Sequence, residues 1–307
     1  FRRVLFRSLS ALYIGEGEIG VGFADISTGQ VFATCFLGAG AEGKLSNELG
    51  AYTPREAIVN LPREKCPAVI DFLEGRLGAL VSDGQQIRFD YAEAAAAAKA
   101  QFPSHGDKID AADTAAIRAV GALLSYINET QMTDISFIKE LDLYTSGQFC
   151  ELDINTRRNL ELVESMRTKE KRGSLLWVLD RTETSMGARL LRSRVLQPLL
   201  SPAEIGRRQA AVRDLFEDYM LREELRELLS GVLDLERLSA KIVYGTANGK
   251  DMRAILSSIS VIPDIKRLLS GLKSDEFQDI CERMDDLEDI RTLISKAIIE
   301  EPPFTVR

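Results

Sequence analysis

Gly173-Ser174-Leu175-Leu176-Trp177-Val178-Leu179-Asp180-Arg181-Thr182-Glu183-Thr184-Ser185-Met186-Gly187-Ala188-Arg189-Leu190-Leu191-Arg192 joins apolar residues at helical spacing to a run of turn and cap formers. Leu175, Leu176 and Leu179 are spaced to bury one side of a short helix, and Thr182, Thr184 and Ser185 supply turn and cap oxygens. Gly187 admits a close neighbour, and Pro198 ends the helix that opens at Met186. Just upstream, Leu152-Asp153-Ile154-Asn155-Thr156-Arg157-Arg158-Asn159-Leu160-Glu161-Leu162 offers Asp153 or Asn155 as the cap of a helix presenting Asn159 and Glu161. None of these residues has the setting of a nucleophile or a catalytic acid. They read as a rigid junction between helices.

Helical signals continue towards the C-terminus. Ser201-Pro202-Ala203-Glu204 is a well-formed helix start, with the hydroxyl placed for the third amide, Glu204 reaching back and Pro202 where no N–H is needed. Leu221, Leu225, Leu228 and Val232 form one stripe, and Met252, Ile255, Leu256 and Ile259 another. Ile280, Met284, Leu287, Ile290, Ile294 and Ile298 read as one apolar face of a last helix of about five turns. Leu287, Ile294 and Ile298 are expected to be exposed there and to favour self-association. Ile117, Val120, Leu124 and Ile127 make an earlier stripe, opened by Asp110 or Asp113.

Before about residue 110 the texture is different. Residues 11–14 and 21–36 are rich in strand formers, with Gly15-Glu16-Gly17-Glu18 and Ser27-Thr28-Gly29-Gln30 as turns, so they predict a three-stranded antiparallel meander. Residues 42–49 and 70–80 have helical spacing, 57–61 and 86–89 read as short strands, and the alanine run 92–100 has the highest helix propensity. The expected fold is an α/β mixed-sheet domain over 9–112 and an all-α domain over 113–307, divided at the loop 102–112.

Composition excludes several functions. Lys and Arg number 39 against 47 Asp and Glu, a net charge of −8 that speaks against a bulk grip on nucleic acid or an anionic membrane. The single histidine, His105, lies in a surface-loop context and rules out a multi-histidine metal or catalytic centre. Cys35, Cys66, Cys150 and Cys281 are scattered without a paired motif, as in a reducing compartment. No apolar run approaches the ~18 residues of a membrane span. A cytoplasmic location is expected.

Two motifs fail on their spacing and charge, and a third depends on its companions. Gly15-Glu16-Gly17-Glu18-Ile19-Gly20 has dinucleotide-loop spacing but leads into a strand, with two acids where phosphate would sit. Gly245-Thr246-Ala247-Asn248-Gly249-Lys250-Asp251 is one residue short of a P-loop and ends on an acid, so it reads as an interhelical turn. Asp25, with Glu48, Glu56 and Asp71 as companions, would suit an RNase H-like metal-dependent nuclease only if those carboxylates converged. Cleavage abolished by Asp25→Ala would support that alternative. Arg157, Arg158, Arg167, Lys169, Lys171 and Arg172 form the one basic cluster, interleaved with Glu161, Glu164 and Glu170. Arg157, Arg158, Lys169 and Lys171 are the candidates for weak contacts to a DNA backbone.

The ordered set of 152–162, 173–192, Gln197-Pro198-Leu199-Leu200 and Ile205-Gly206-Arg207-Arg208-Gln209-Ala210-Ala211-Val212 closely resembles the core, or lever, domain of the MutS family of bacterial DNA mismatch repair proteins. Val21-Gly22-Phe23-Ala24-Asp25-Ile26-Ser27-Thr28-Gly29 and Pro54-Arg55-Glu56-Ala57-Ile58 resemble that family's connector domain. The resemblance implies an RNase H-like connector followed by the first part of an all-α lever. It marks Asp153, Asn159, Glu161, Met186, Gly187, Arg189 and Pro198 as structural signature residues, with no catalytic, nucleotide or metal site in this stretch. Arg194 stands where the family has an aromatic residue, usually Trp. Residues 1–8 resemble nothing in the family and are unassigned. The family's mismatch-reading domain, clamp, returning lever helices and P-loop ATPase are not recognisable in the chain, which is therefore expected to be an internal piece. The implied parent binds mismatched duplex DNA as a homodimer, uses ATP and Mg, and recruits a MutL-like partner. A free-standing helical scaffold for protein partners is the remaining alternative.

Overall fold

Large and small residues alternate along Glu18-Ile19-Gly20-Val21-Gly22-Phe23-Ala24-Asp25, and that asymmetry organises the first part of the fold. A computed structural model describes residues 8–83, 86–131, 135, 138–145, 147 and 149–303. The chain divides into two compact units, Phe1–Leu160 and Glu161–Arg307.

In the first unit β1 (Ser8–Ile14), β2 (Glu18–Asp25) and β3 (Gln30–Leu37) form the expected antiparallel meander. Helix α1 (Ala41–Tyr52) leads to β4 (Glu56–Val59), which pairs parallel with β1. A short α2 (Pro67–Asp71) and a π turn at Phe72–Arg76 precede β5 (Leu80–Asp83), parallel to β4. Next come α3 (Tyr91–Gln101), α4 (Gly106–Ala111), α5 (Thr114–Gln131), the edge strand β6 (Glu140–Leu143), parallel to β3, and α6 (Ile154–Asn159). The six-stranded order is β5-β4-β1-β2-β3-β6.

Ile19, Val21 and Phe23 share one core with Leu45 and Leu49 of α1, where the Phe23 and Tyr52 rings stack at 4.1 Å between centroids. The opposite face of β2 carries Gly20 and Gly22, and α5 lies directly on it. A Cβ at Gly20 would fall 1.9 Å from the Ala115 carbonyl oxygen, so only glycine admits the helix that close. Gly121 plays the same part between α5 and α3, since its Cβ would meet the Ala94 Cβ at 2.3 Å.

These contacts correct the division expected at 102–112. The stripe Ile117, Val120, Leu124 and Ile127 is buried, and its helix covers the sheet rather than opening the helical domain. Residues 86–89 form a 3-10 turn instead of a strand, because the strand that pairs with β4 is Leu80–Asp83. Residues 70–80 likewise hold the end of α2, the π turn and the entry to β5 rather than a single helix.

The second unit opens with the non-helical stretch 161–174, and its regular elements among the described residues are helices: α7 (Leu175–Leu179), α8 (Ser185–Leu196), α9 (Pro202–Glu217), α10 (Tyr219–Ser230), α11 (Leu235–Val243), α12 (Gly249–Ser260), α13 (Ile262–Leu269), α14 (Asp275–Arg283) and α15 (Glu288–Ala297). Ala211, Leu225, Ile265, Leu269 and Phe277 centre one core, and Ile255, Ile259 and Ile294 a smaller one. The single last helix expected over 280–298 is two helices. The Asp285 carboxylate accepts from the Leu287 amide at 2.8 Å, and Leu287 takes a left-handed backbone, so a local turn replaces the helix there. Ile294 is consequently buried and Leu287 and Ile298 pack against it, while Leu293 and Ile299 face solvent.

Candidate functional site

The junction stretch builds itself from caps. Asp153 accepts from the Thr156 amide at 2.7 Å and opens α6; that hydrogen bond holds its carboxyl below the usual range. Asn155 does not serve as the cap. Arg157 is buried and donates to the Asn47 carbonyl of α1 at 2.8 Å, which removes it from the set of candidate DNA contacts. Arg158 and Asn159 are exposed.

Glu161 has a left-handed backbone, φ 48°, and its carboxylate accepts from the Met166 amide at 2.6 Å. Its carbonyl and that of Leu162 receive the amides of Leu175 and Leu176, both at 2.9 Å, tying the intervening loop to the start of α7. Ser174 caps α7 by accepting from Trp177, and its own hydroxyl donates to the Lys171 carbonyl. Only Leu176 of this helix is buried; Leu175 and Leu179 are exposed, contrary to the one-sided burial expected of them. Lys171 binds Asp180, whose carboxyl is held down at about 2 by that ammonium and by Thr182. Lys169 lies 3.7 Å from Glu164.

Thr184 caps α8 through the Gly187 amide at 3.0 Å, and a Cβ on Gly187 would come equally close to that hydroxyl. Met186 is half-buried, and Pro198 follows the Gln197 cap that ends α8. Arg189 forks onto Asp234 at 2.7 and 2.8 Å and also bonds Glu236. Asp234 caps α11 as well, and the Arg189 guanidinium lowers its pKa. Arg194 is exposed, so a charged side chain at that position faces water.

The structure brings Asp153, Glu161, Gly187 and Arg189 into caps and clamps rather than round a reacting centre. Sequence reading missed the partners of Arg189, because Asp234 and Glu236 lie 45 and 47 residues away and carry no local signal. Arg207 on α9 likewise reaches Glu276 and Asp279 of α14.

The discarded motifs have structural roles. Gly15 and Gly17 turn the β1–β2 hairpin, with the Gly15 amide donating to Glu18 at 2.9 Å. Asn248 and Asp251 form a reciprocal cap at the start of α12. Asp25 ends β2 and accepts from the amide and hydroxyl of Ser27 at 2.8 and 2.6 Å. Glu48 binds Tyr144, Glu56 binds Tyr126, and Asp71 is exposed at the end of α2. These four carboxylates do not converge, and among the described residues no group of acids, histidines or cysteines is arranged to hold a metal. His105 is half-buried in a short turn beside Phe102.

Comparison with known proteins agrees with both units. Residues 7–139 match the family model MutS domain II, and residues 155–307 match MutS domain III. The chain is 39% identical over 299 residues to the DNA mismatch repair protein MutS of Ruminiclostridium cellulolyticum, covering 97% of this chain and 34% of that protein. It is 37% identical to the protein of the same name from Lachnoclostridium phytofermentans, with 97% and 32% coverage. For that of Caldanaerobacter subterraneus the identity is 37%, with 96% and 34% coverage. The chain thus spans about a third of the length of the curated relatives it matches.

Proposed function

The chain belongs to the MutS family, and from that premise we propose that it serves DNA mismatch repair as the connector and the first part of the lever. The observation that carries the reading is the order of parts: a mixed-sheet unit followed directly by a capped and clamped helical unit, with family similarity running through both. In this reading the whole protein binds mismatched duplex DNA as a homodimer and exchanges ADP for ATP with Mg, and this chain transmits the change between those ends. It also carries a docking face for a MutL-like protein, and it works in the cytoplasm.

The residues support a mechanical rather than a chemical part. Helices held by side-chain caps and by the Arg189 and Arg207 clamps deform at the cost of charged hydrogen bonds, so a displacement entering one end of the unit is passed on rather than absorbed. Arg158, Lys169 and Lys171 remain the candidates for weak phosphate contact, with Lys169 and Lys171 already facing Glu164 and Asp180. Among the described residues no helix is long and apolar enough to cross a membrane. The test is a chimera in which this chain replaces the matching third of a MutS relative. Mismatch-stimulated nucleotide exchange should survive, and Arg189→Ala should weaken the stimulation while nucleotide affinity stays constant. A chimera whose stimulation ignores changes in the helical unit would overturn the reading.

A further inference from the structure

Helix α6 is fastened to α1 in an unusual way. Its one buried side chain is Arg157, a cation, and no apolar residue of the helix is fully buried. Arg157 Nη1 donates to the Asn47 carbonyl, but Nε is buried with no hydrogen-bond partner among the described residues. Glu48, Asp153 and Tyr144 face the guanidinium, and burial opposes its charge. The other attachments are light. The half-buried Ile154 side chain sits on Gly50, where a Cβ would meet its Cδ1 at 2.4 Å, and Lys44 pairs with Glu151 at 3.5 Å on the surface. Just upstream, Tyr144 is buried and donates to Glu48.

Burying a guanidinium with its Nε donor unfilled works against the contacts that hold it. Segments with few buried apolar side chains open at the low end of the local stability scale. We infer that α6 is a releasable latch on α1, seated by Ile154 over Gly50 and kept marginal by the buried Arg157, and that it opens while the sheet stays folded. Its opening frees the chain that connects the two units. This inference rests on the packing alone and stands apart from the family reading.

Hydrogen exchange followed by mass spectrometry on the whole chain tests it. In the wild type, amides 156–160 should exchange at least tenfold faster than amides 118–127 of α5, through an opening that leaves α5 protected. Gly50→Ala, which raises helix propensity in α1 while evicting Ile154, should speed exchange at 156–160 a further threefold or more. Arg157→Met, which keeps the length and removes the charge, should leave that exchange unchanged or slower. Exchange of 156–160 only in step with α5, no response to Gly50→Ala, or acceleration by Arg157→Met would each overturn the latch. Unchanged exchange in α5 reports that each variant is folded.

Discussion

Arg189 on α8 donates two hydrogen bonds, at 2.7 and 2.8 Å, to Asp234, the residue whose carboxylate also caps α11. One acid therefore opens one helix and anchors another, 45 residues away in sequence. The fork matches a carboxylate in two places at once, which a lysine cannot reproduce. Arg189→Met leaves Asp234 with only the longer Arg237 pair at 3.5 Å and takes the guanidinium from Glu236, and should destabilise the chain by about 1–3 kcal/mol. Arg189→Lys should recover only part of this. A urea titration of both variants, with Asp234→Asn as the second arm of a double-mutant cycle, measures the coupling; additive effects would show that the clamp does not bear on stability.

Gly20 and Gly22 lie on the same face of β2 but are expected to respond differently. At Gly20 a Cβ would overlap the Ala115 carbonyl at 1.9 Å, and backbone on both sides leaves nothing to rotate away. At Gly22 the nearest atom would be Ala119 C at 3.5 Å, an ordinary contact. Gly20→Ala should cost at least the ~1–3 kcal/mol of an overpacked core, whereas Gly22→Ala should be close to neutral. Thermal melts of the two variants decide it, and equal effects would contradict the close seating of α5.

Net charge and pairing set the expected DNA affinity. The chain carries −8 overall, Arg157 is buried, and Lys169 and Lys171 already face acids. Duplex binding by the isolated chain should be weaker than micromolar at physiological salt and should fall further as salt rises. Fluorescence anisotropy with a labelled mismatched duplex measures this, and submicromolar affinity that persists in salt would contradict it.

The order of the two units was legible in the residues because strand formers punctuated by turn residues over 11–36 and period-3.6 stripes beyond 201 are local signals. What lay beyond reach was the partner of each surface. The stripe Ile117, Val120, Leu124, Ile127 states that a helix buries one face, but not that the face meets Gly20 and Gly22 of a strand nearly a hundred residues earlier. Periodicity ran on through 284–287 because Met284 and Leu287 fit the stripe, while Asp285 stops the helix through a side-chain bond that composition does not display. Arg157 belonged to the basic cluster by letter and to the interior by packing. The caps Thr184 and Ser201 were readable, since each stands three residues before the amide it receives, while Ser174 has the same spacing and went unread.

Acid should loosen the helical unit in a defined window. Asp180 sits at about 2, held by Lys171 and Thr182, and Asp234 and Asp251 are lowered by Arg189 and Lys241 respectively. Each of these groups is more acidic folded than unfolded, where an aspartate titrates near ~3.9. Their contribution is therefore complete above about pH 4 and is lost as pH falls through the folded values, because the unfolded chain takes up protons first. Melting temperature should be level from about pH 7 to 5 as far as these groups decide it, then fall steeply between about pH 4 and 2. Asp180→Asn removes one of the titrating groups and should flatten the acid limb while lowering the plateau. An acid limb identical in the wild type and in Asp180→Asn would show that this carboxylate is not held down by the fold.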